Sequence, residues 1–180
     1  MIKLKTKRLV LSAMLLALGI VLPFLTGQIK EIGDTLLPMH MTVMLCGYLC
    51  GPIYGSLVGI LTPLTRSILF GMPPIYPNAI WMILELFTYG LITGLFYVKK
   101  KKCSTLYLYF SLIVAMIGGR IVWGIAKVIL LGLKGKPFTF QMFIFSGFLD
   151  AIPGIILQLI FIPLIIRLTQ RPRVKEREEI

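Results

Sequence analysis

Five charged residues, Arg66, Glu85, Arg120, Lys127 and Asp150, interrupt long apolar runs, and the only histidine, His40, stands at the head of another. A charge in a membrane-embedded helix is costly, roughly 2.5–3.5 kcal/mol at the centre on insertion scales, and by default marks a functional site. Such groups can neutralise one another, or they can hold a polar solute in a cavity with apolar walls. Covalent chemistry has less support. There is no Ser–His–Asp set, no H-E-x-x-H and no G-x-x-x-x-G-K-[ST], so nucleophilic, zinc-dependent and ATP-hydrolysing roles lack their motifs. A lone histidine is poor evidence for a metal or a general base. Cys46 and Cys50 share one helix face, but two ligands need further partners and none lies close in sequence. They read as small packing residues, with a metal or redox site as the alternative. The expectation is therefore a binding or transport protein, not an enzyme, with no cofactor and no metal.

The elements that must position these residues are membrane helices. With 57% of residues hydrophobic and 14% charged, the chain lies well outside the soluble range of about half apolar and a quarter charged. The fold class expected is all-α and membrane-embedded, a single integral-membrane domain over residues 1–180. Six apolar segments follow from the Gly and Pro breaks: 9–27, 39–50, 54–70, 78–98, 105–131 and 142–166, with 167–180 a charged tail. Lys3–Arg8 before an apolar run resembles a signal peptide. The run Leu9–Gly27 is longer than a usual apolar core and lacks a clear cleavage site, so it reads as a retained first helix,.

The net charge of +12 would suggest nucleic acid in a polar chain. Here the basic residues concentrate at Lys3–Arg8, at Lys99–Lys102 and at Arg167–Arg177, next to apolar segments. Six crossings put all three groups on one side, which the positive-inside rule makes cytoplasmic. Both termini are then cytoplasmic, the protein is multi-pass in the cell membrane, and nucleic acid is excluded as a partner. In this frame Arg66, Glu85, Lys127 and Asp150 fall within roughly 6–12 Å of the outer helix ends, and Arg120 roughly 16 Å in.

Helical spacing gathers them further. Gly59, Thr62 and Arg66 share a stripe, as do Asn78, Trp81, Glu85 and Tyr89. Arg120, Trp123 or Gly124, and Lys127 form another, and Gly147, Asp150, Gly154 and Gln158 a fourth. Inward polar groups with two tryptophans describe an outward-facing ligand cavity. The alternative is structural pairing, Glu85 with Arg120 and Asp150 with Lys127, which explains their presence poorly because buried pairs are often no better than apolar replacements. The inward charge sums to one positive, favouring an anionic or carboxylate-bearing ligand. On the first helix, Ala13 and Ala17 form a small-xxx-small pair that lets another helix approach closely.

These features carry a resemblance covering essentially the whole chain. Ala13 and Ala17, Leu37-Pro38-Met39-His40, Cys46 through Gly55, Gly71-Met72-Pro73-Pro74, Glu85 through Gly90, and Gly119 through Gly124 resemble the substrate-binding S component of energy-coupling factor (ECF) transporters, closest to the branch serving folate, pantothenate and related vitamins. The resemblance implies tight capture of a micronutrient from outside, with the first-to-second loop, here Gln28–Pro38, as a lid. It implies partners: a membrane coupling subunit, against which Ala13 and Ala17 would pack, and two ATPase subunits. It points to His40, Arg66, Asn78, Trp81, Glu85, Arg120, Trp123, Lys127 and Asp150 as substrate-binding. Pantothenate suits the charge; vitamin B6, folate, cobalamin and a queuosine precursor are the alternatives. A rival of another class is a self-sufficient ion-coupled transporter of an organic anion.

Overall fold

The computed structural model describes residues 2–26, 35–98, 104–135 and 137–170, and all regular structure among them is helical. Helix α1 (Ile2–Val21) ends in a tight 3-10 turn, Leu22–Thr26, holding Pro23. Helices α2 (Pro38–Cys50) and α3 (Pro52–Phe70) follow, then a π turn (Ile75–Ala79) leads into α4 (Ile80–Val98). Helix α5 runs Thr105–Gly132, the short α6 Phe140–Ile144, and α7 Ile152–Gln170. The Lys99–Lys102 group, most of the lid segment Gln28–Pro38 and the tail beyond Gln170 lie outside the described residues.

Five stretches are long and apolar enough to cross a bilayer: Lys5–Phe24, Pro52–Phe70, Ile75–Phe96, Thr105–Gly132 and Ile152–Thr169. The segment expected at 39–50 becomes α2, of 13 residues. That is about 20 Å, against a hydrocarbon core of about 30 Å. Its side chains are covered on every face: Thr42, Val43, Met44 and Cys46 are fully buried. A helix apolar all round belongs in a core, and α2 packs against α1, α3, α4 and α7. It is the axis of the bundle. Cys46 and Cys50 sit in this core as free thiols.

The expected continuous segment 142–166 is broken. After α6 the chain makes a π turn, Phe145–Leu149, then a turn at Asp150–Ala151, before α7 begins. Pro153 accounts for the position, since its ring crowds the carbonyl four residues back, at Leu149, and it has no N–H to bond there. At the start of α7 the same residue costs nothing, because first-turn N–H groups have no helical partner.

Glycines fix the depth of α4. A Cβ on Gly55 would sit 2.7 Å from both the Gly47 Cα and the Gly90 carbonyl oxygen, and one on Gly59 would sit 2.5 Å from the Leu86 carbonyl oxygen. These contacts are backbone against backbone, the close approach that small residues allow in membranes. They lock α2, α3 and α4 in register and so set the level of Glu85, beside Leu86. The core then continues through Leu15, Leu86, Tyr89, Leu112, Ile162 and Ile166, linking α1, α4, α5 and α7.

Candidate functional site

Three helices bring one polar cluster together. His40 stands at the third position of α2, Glu85 and Tyr89 one turn apart on α4, and Arg120 on α5. All are buried, Glu85 and His40 to 2% exposure. Glu85 Oε1 lies 3.0 Å from Arg120 Nη1 and accepts the Tyr89 hydroxyl at 3.0 Å. His40 Nε2 is 3.4 Å from the same oxygen, an electrostatic contact without hydrogen-bond alignment, so neither ring nitrogen has a hydrogen-bond partner. The Tyr89 ring meets His40 edge-on, with centroids 5.5 Å apart. Tyr89 reaches this position because residue 119 is glycine: a Cβ there would strike the Tyr89 ring.

Trp123 joins this cluster to a second one. Arg120 Cζ lies 5.5 Å from its ring centroid, and Lys127 Nζ lies 4.0 Å. Lys127 also stands 5.1 Å from Trp81 and 5.5 Å from Phe138. An aromatic box of this kind holds an ammonium through ring quadrupoles, about 0.5–2 kcal/mol per contact depending on desolvation. Gly147 leaves room for the indole, since a Cβ there would be 3.2 Å from Trp123 Cζ3. Beside the box an apolar groove of about 490 Å³ runs between Ile121, Gly124, Ile125 and Val128 of α5 and Phe138 and Phe143. This groove is apolar and borders the aromatic box, and Glu85, Arg120 and His40 do not line it.

Of the residues expected from sequence, His40, Glu85 and Arg120 meet directly, and Trp81, Trp123 and Lys127 meet beside them. Asn78 is half-buried in the π turn that opens α4. Arg66 is placed apart from the Glu85 cluster. Its Nη1 donates to the Ile20 carbonyl at 2.5 Å, and its guanidinium lies 5.3 and 5.7 Å from the Phe24 and Phe70 rings. It is therefore a tie between α3 and the end of α1, where unpaired helix carbonyls welcome a cation. Asp150 is exposed, because the helix break turns it away from the bundle. Sequence reasoning put Tyr89 on the right stripe without giving it a role; its position one turn from Glu85 was the available signal. Phe138 had none, since a loop aromatic carries no periodicity.

Ala13 and Ala17 are exposed, with Met14, 64% exposed, and Leu18 beside them. They form an open apolar face of α1 with small residues at its centre. Taken with the helical bundle and its buried charges, this agrees with a family comparison: the family described as ECF transporter, substrate-specific component, matches residues 7–166. No curated protein and no solved structure matches the chain.

Proposed function

The chain belongs to the substrate-specific components of ECF transporters, a transport-related substrate-binding family, and from that premise we propose that it captures an anionic micronutrient, pantothenate in the first instance, from outside the cell. The observation that carries this is the buried Glu85–Arg120–His40 cluster joined through Trp123 to Lys127. Among the described residues the site gathers two cationic groups, Arg120 and Lys127, and one carboxylate, Glu85, a balance that suits an anionic ligand. Trp81, Trp123 and Phe138 supply apolar wall, as a small-molecule site requires. In this reading His40, Trp81, Glu85, Arg120, Trp123 and Lys127 form the heart of the site. Asn78 and Asp150 stand at its outer rim, and Arg66 ties α1 to α3.

The same reading makes α2 the sixth crossing, with both termini cytoplasmic and the protein in the cell membrane. Ala13 and Ala17 dock a membrane coupling subunit that serves two ATPases. Mass spectrometry of small molecules released from the purified chain tests the proposal, paired with binding of radiolabelled pantothenate. A retained vitamin B6, folate, cobalamin or queuosine precursor would replace the substrate and keep the role. Proton-driven uptake by the chain alone in vesicles would overturn the role itself.

A further inference from the structure

Gln158 lies on the buried face of α7, in line with Ala151, Gly154, Ile162 and Ile166, and is 1% exposed. Its Nε2 has no hydrogen-bond partner. A buried amide N–H left unmet costs roughly 1–3 kcal/mol, and folded proteins rarely keep one without a reason. His40 Nδ1 shares the condition, while its Nε2 faces Glu85 Oε1 at 3.4 Å.

The two residues flank one crossing. Gly154 is the crossing point of α7 with the chain entering α2: a Cβ there would sit 2.5 Å from the Thr35 carbonyl oxygen and 2.9 Å from the Leu36 carbonyl carbon. Gln158 lies one turn beyond Gly154 on α7, and His40 lies in the first turn of α2, which opens just after the left-handed residue Leu37. The directions agree. Helices α2 and α4 both run opposite to α3, Tyr107 near the start of α5 bonds Phe96 near the end of α4, and Arg167 near the end of α7 bonds Thr105 at the start of α5. Hence α2, α4 and α7 run one way and α5 the other. Gln158 thus stands on a helix that packs against α2 and runs parallel to it.

We infer that Gln158 is a ligand-contacting residue and that, with His40, it binds an acceptor oxygen of the captured molecule, a carboxylate or amide carbonyl, between α2 and α7. This rests on the binding role proposed above. An amide nitrogen can only donate, so an ammonium or an apolar group would not satisfy it.

The test uses Gln158→Met, which keeps the length and removes the donor, with Gln158→Leu as a second variant. Radiolabelled pantothenate, pyridoxine, folate and cobalamin are each titrated against wild type and variants. Ligand-free proteins are melted in parallel. The compound bound by wild type is expected to bind about tenfold to hundredfold more weakly to both variants, the range for losing a hydrogen bond to a neutral or charged acceptor. Ligand-free melting temperatures are expected within about 2 °C of wild type, or higher, since nothing bonded is lost. Equal affinity overturns the inference. So does a fall of about 5 °C or more in the ligand-free melt, which would mean that Gln158 is bonded within the empty protein, for example through a water. Failure of wild type to bind any of the four compounds overturns the substrate reading and with it the ligand contact of Gln158, whereas binding by wild type with unchanged affinity in both variants overturns the Gln158 contact alone.

Discussion

Substituting Glu85→Gln keeps the shape of the side chain and removes its charge from the centre of the bundle. Breaking a buried ion pair by neutralising one member costs about 3–5 kcal/mol, because the remaining charge loses its compensation. Two features reduce that here. The substituted amide oxygen can still accept the Tyr89 hydroxyl, now 3.0 Å from Oε1, which retains about 1 kcal/mol. Arg120 keeps the Trp123 ring at 5.5 Å, worth another ~1 kcal/mol. The net loss is then about 1–3 kcal/mol. For a chain of this size, 1 kcal/mol moves the midpoint by about 2–4 °C, so Glu85→Gln should melt roughly 2–12 °C lower in detergent. The deficit should persist when salt is raised, since buried pairs are little screened. Arg120→Met alone should also destabilise, and the double variant should recover most of the loss, with a coupling of about 2 kcal/mol. A single variant melting within about 1 °C of wild type would refute the reasoning. So would a double variant whose losses simply add.

Two further outcomes concern contact between helices. Ala13→Arg should abolish ATP-driven uptake by the reconstituted complex while leaving ligand affinity of the lone chain unchanged; loss of both in a folded protein would count against the α1 face as the docking strip. Gly90→Ala places a Cβ against the Gly55 carbonyl, and because backbone must move, it should cost about 3 kcal/mol or more and lower the yield of folded protein. Gly132→Ala, with open space around it, should be neutral or slightly stabilising in the same expression assay.

The pairing of Glu85 with Arg120 could be reached from sequence because both the 3.6-residue period and the cost of charge in hydrocarbon act locally. Each stripe is written in its own helix, and topology then sets depth. Arg66 and Asp150 show where that logic stops. Both have inward spacing on paper. Arg66 is captured by the Ile20 carbonyl and two phenylalanines, partners that no stripe on α3 contains. Asp150 is turned out by a helix break whose register depends on how Pro153 is accommodated. The role of α2 was hidden in another way. Hydropathy measures preference for a nonpolar medium and cannot separate lipid from protein interior, so the 13-residue apolar run showed nothing of its central place among the other helices. Gly59 was legible only as a member of the Arg66 stripe, and which backbone it, Gly55 and Gly90 each meet is a tertiary fact.

The corner between α2 and α3 carries a consequence for the membrane around it. Gly51 takes the positive φ that reverses the chain, at 99°, and donates its N–H to the Gly47 carbonyl. Pro52 has no N–H to satisfy, and the Gly51 carbonyl receives the Gly55 N–H at 3.0 Å. Each group answered inside the protein is one fewer that calls for headgroups or water, so the corner is eased below the lipid surface wherever protein covers it.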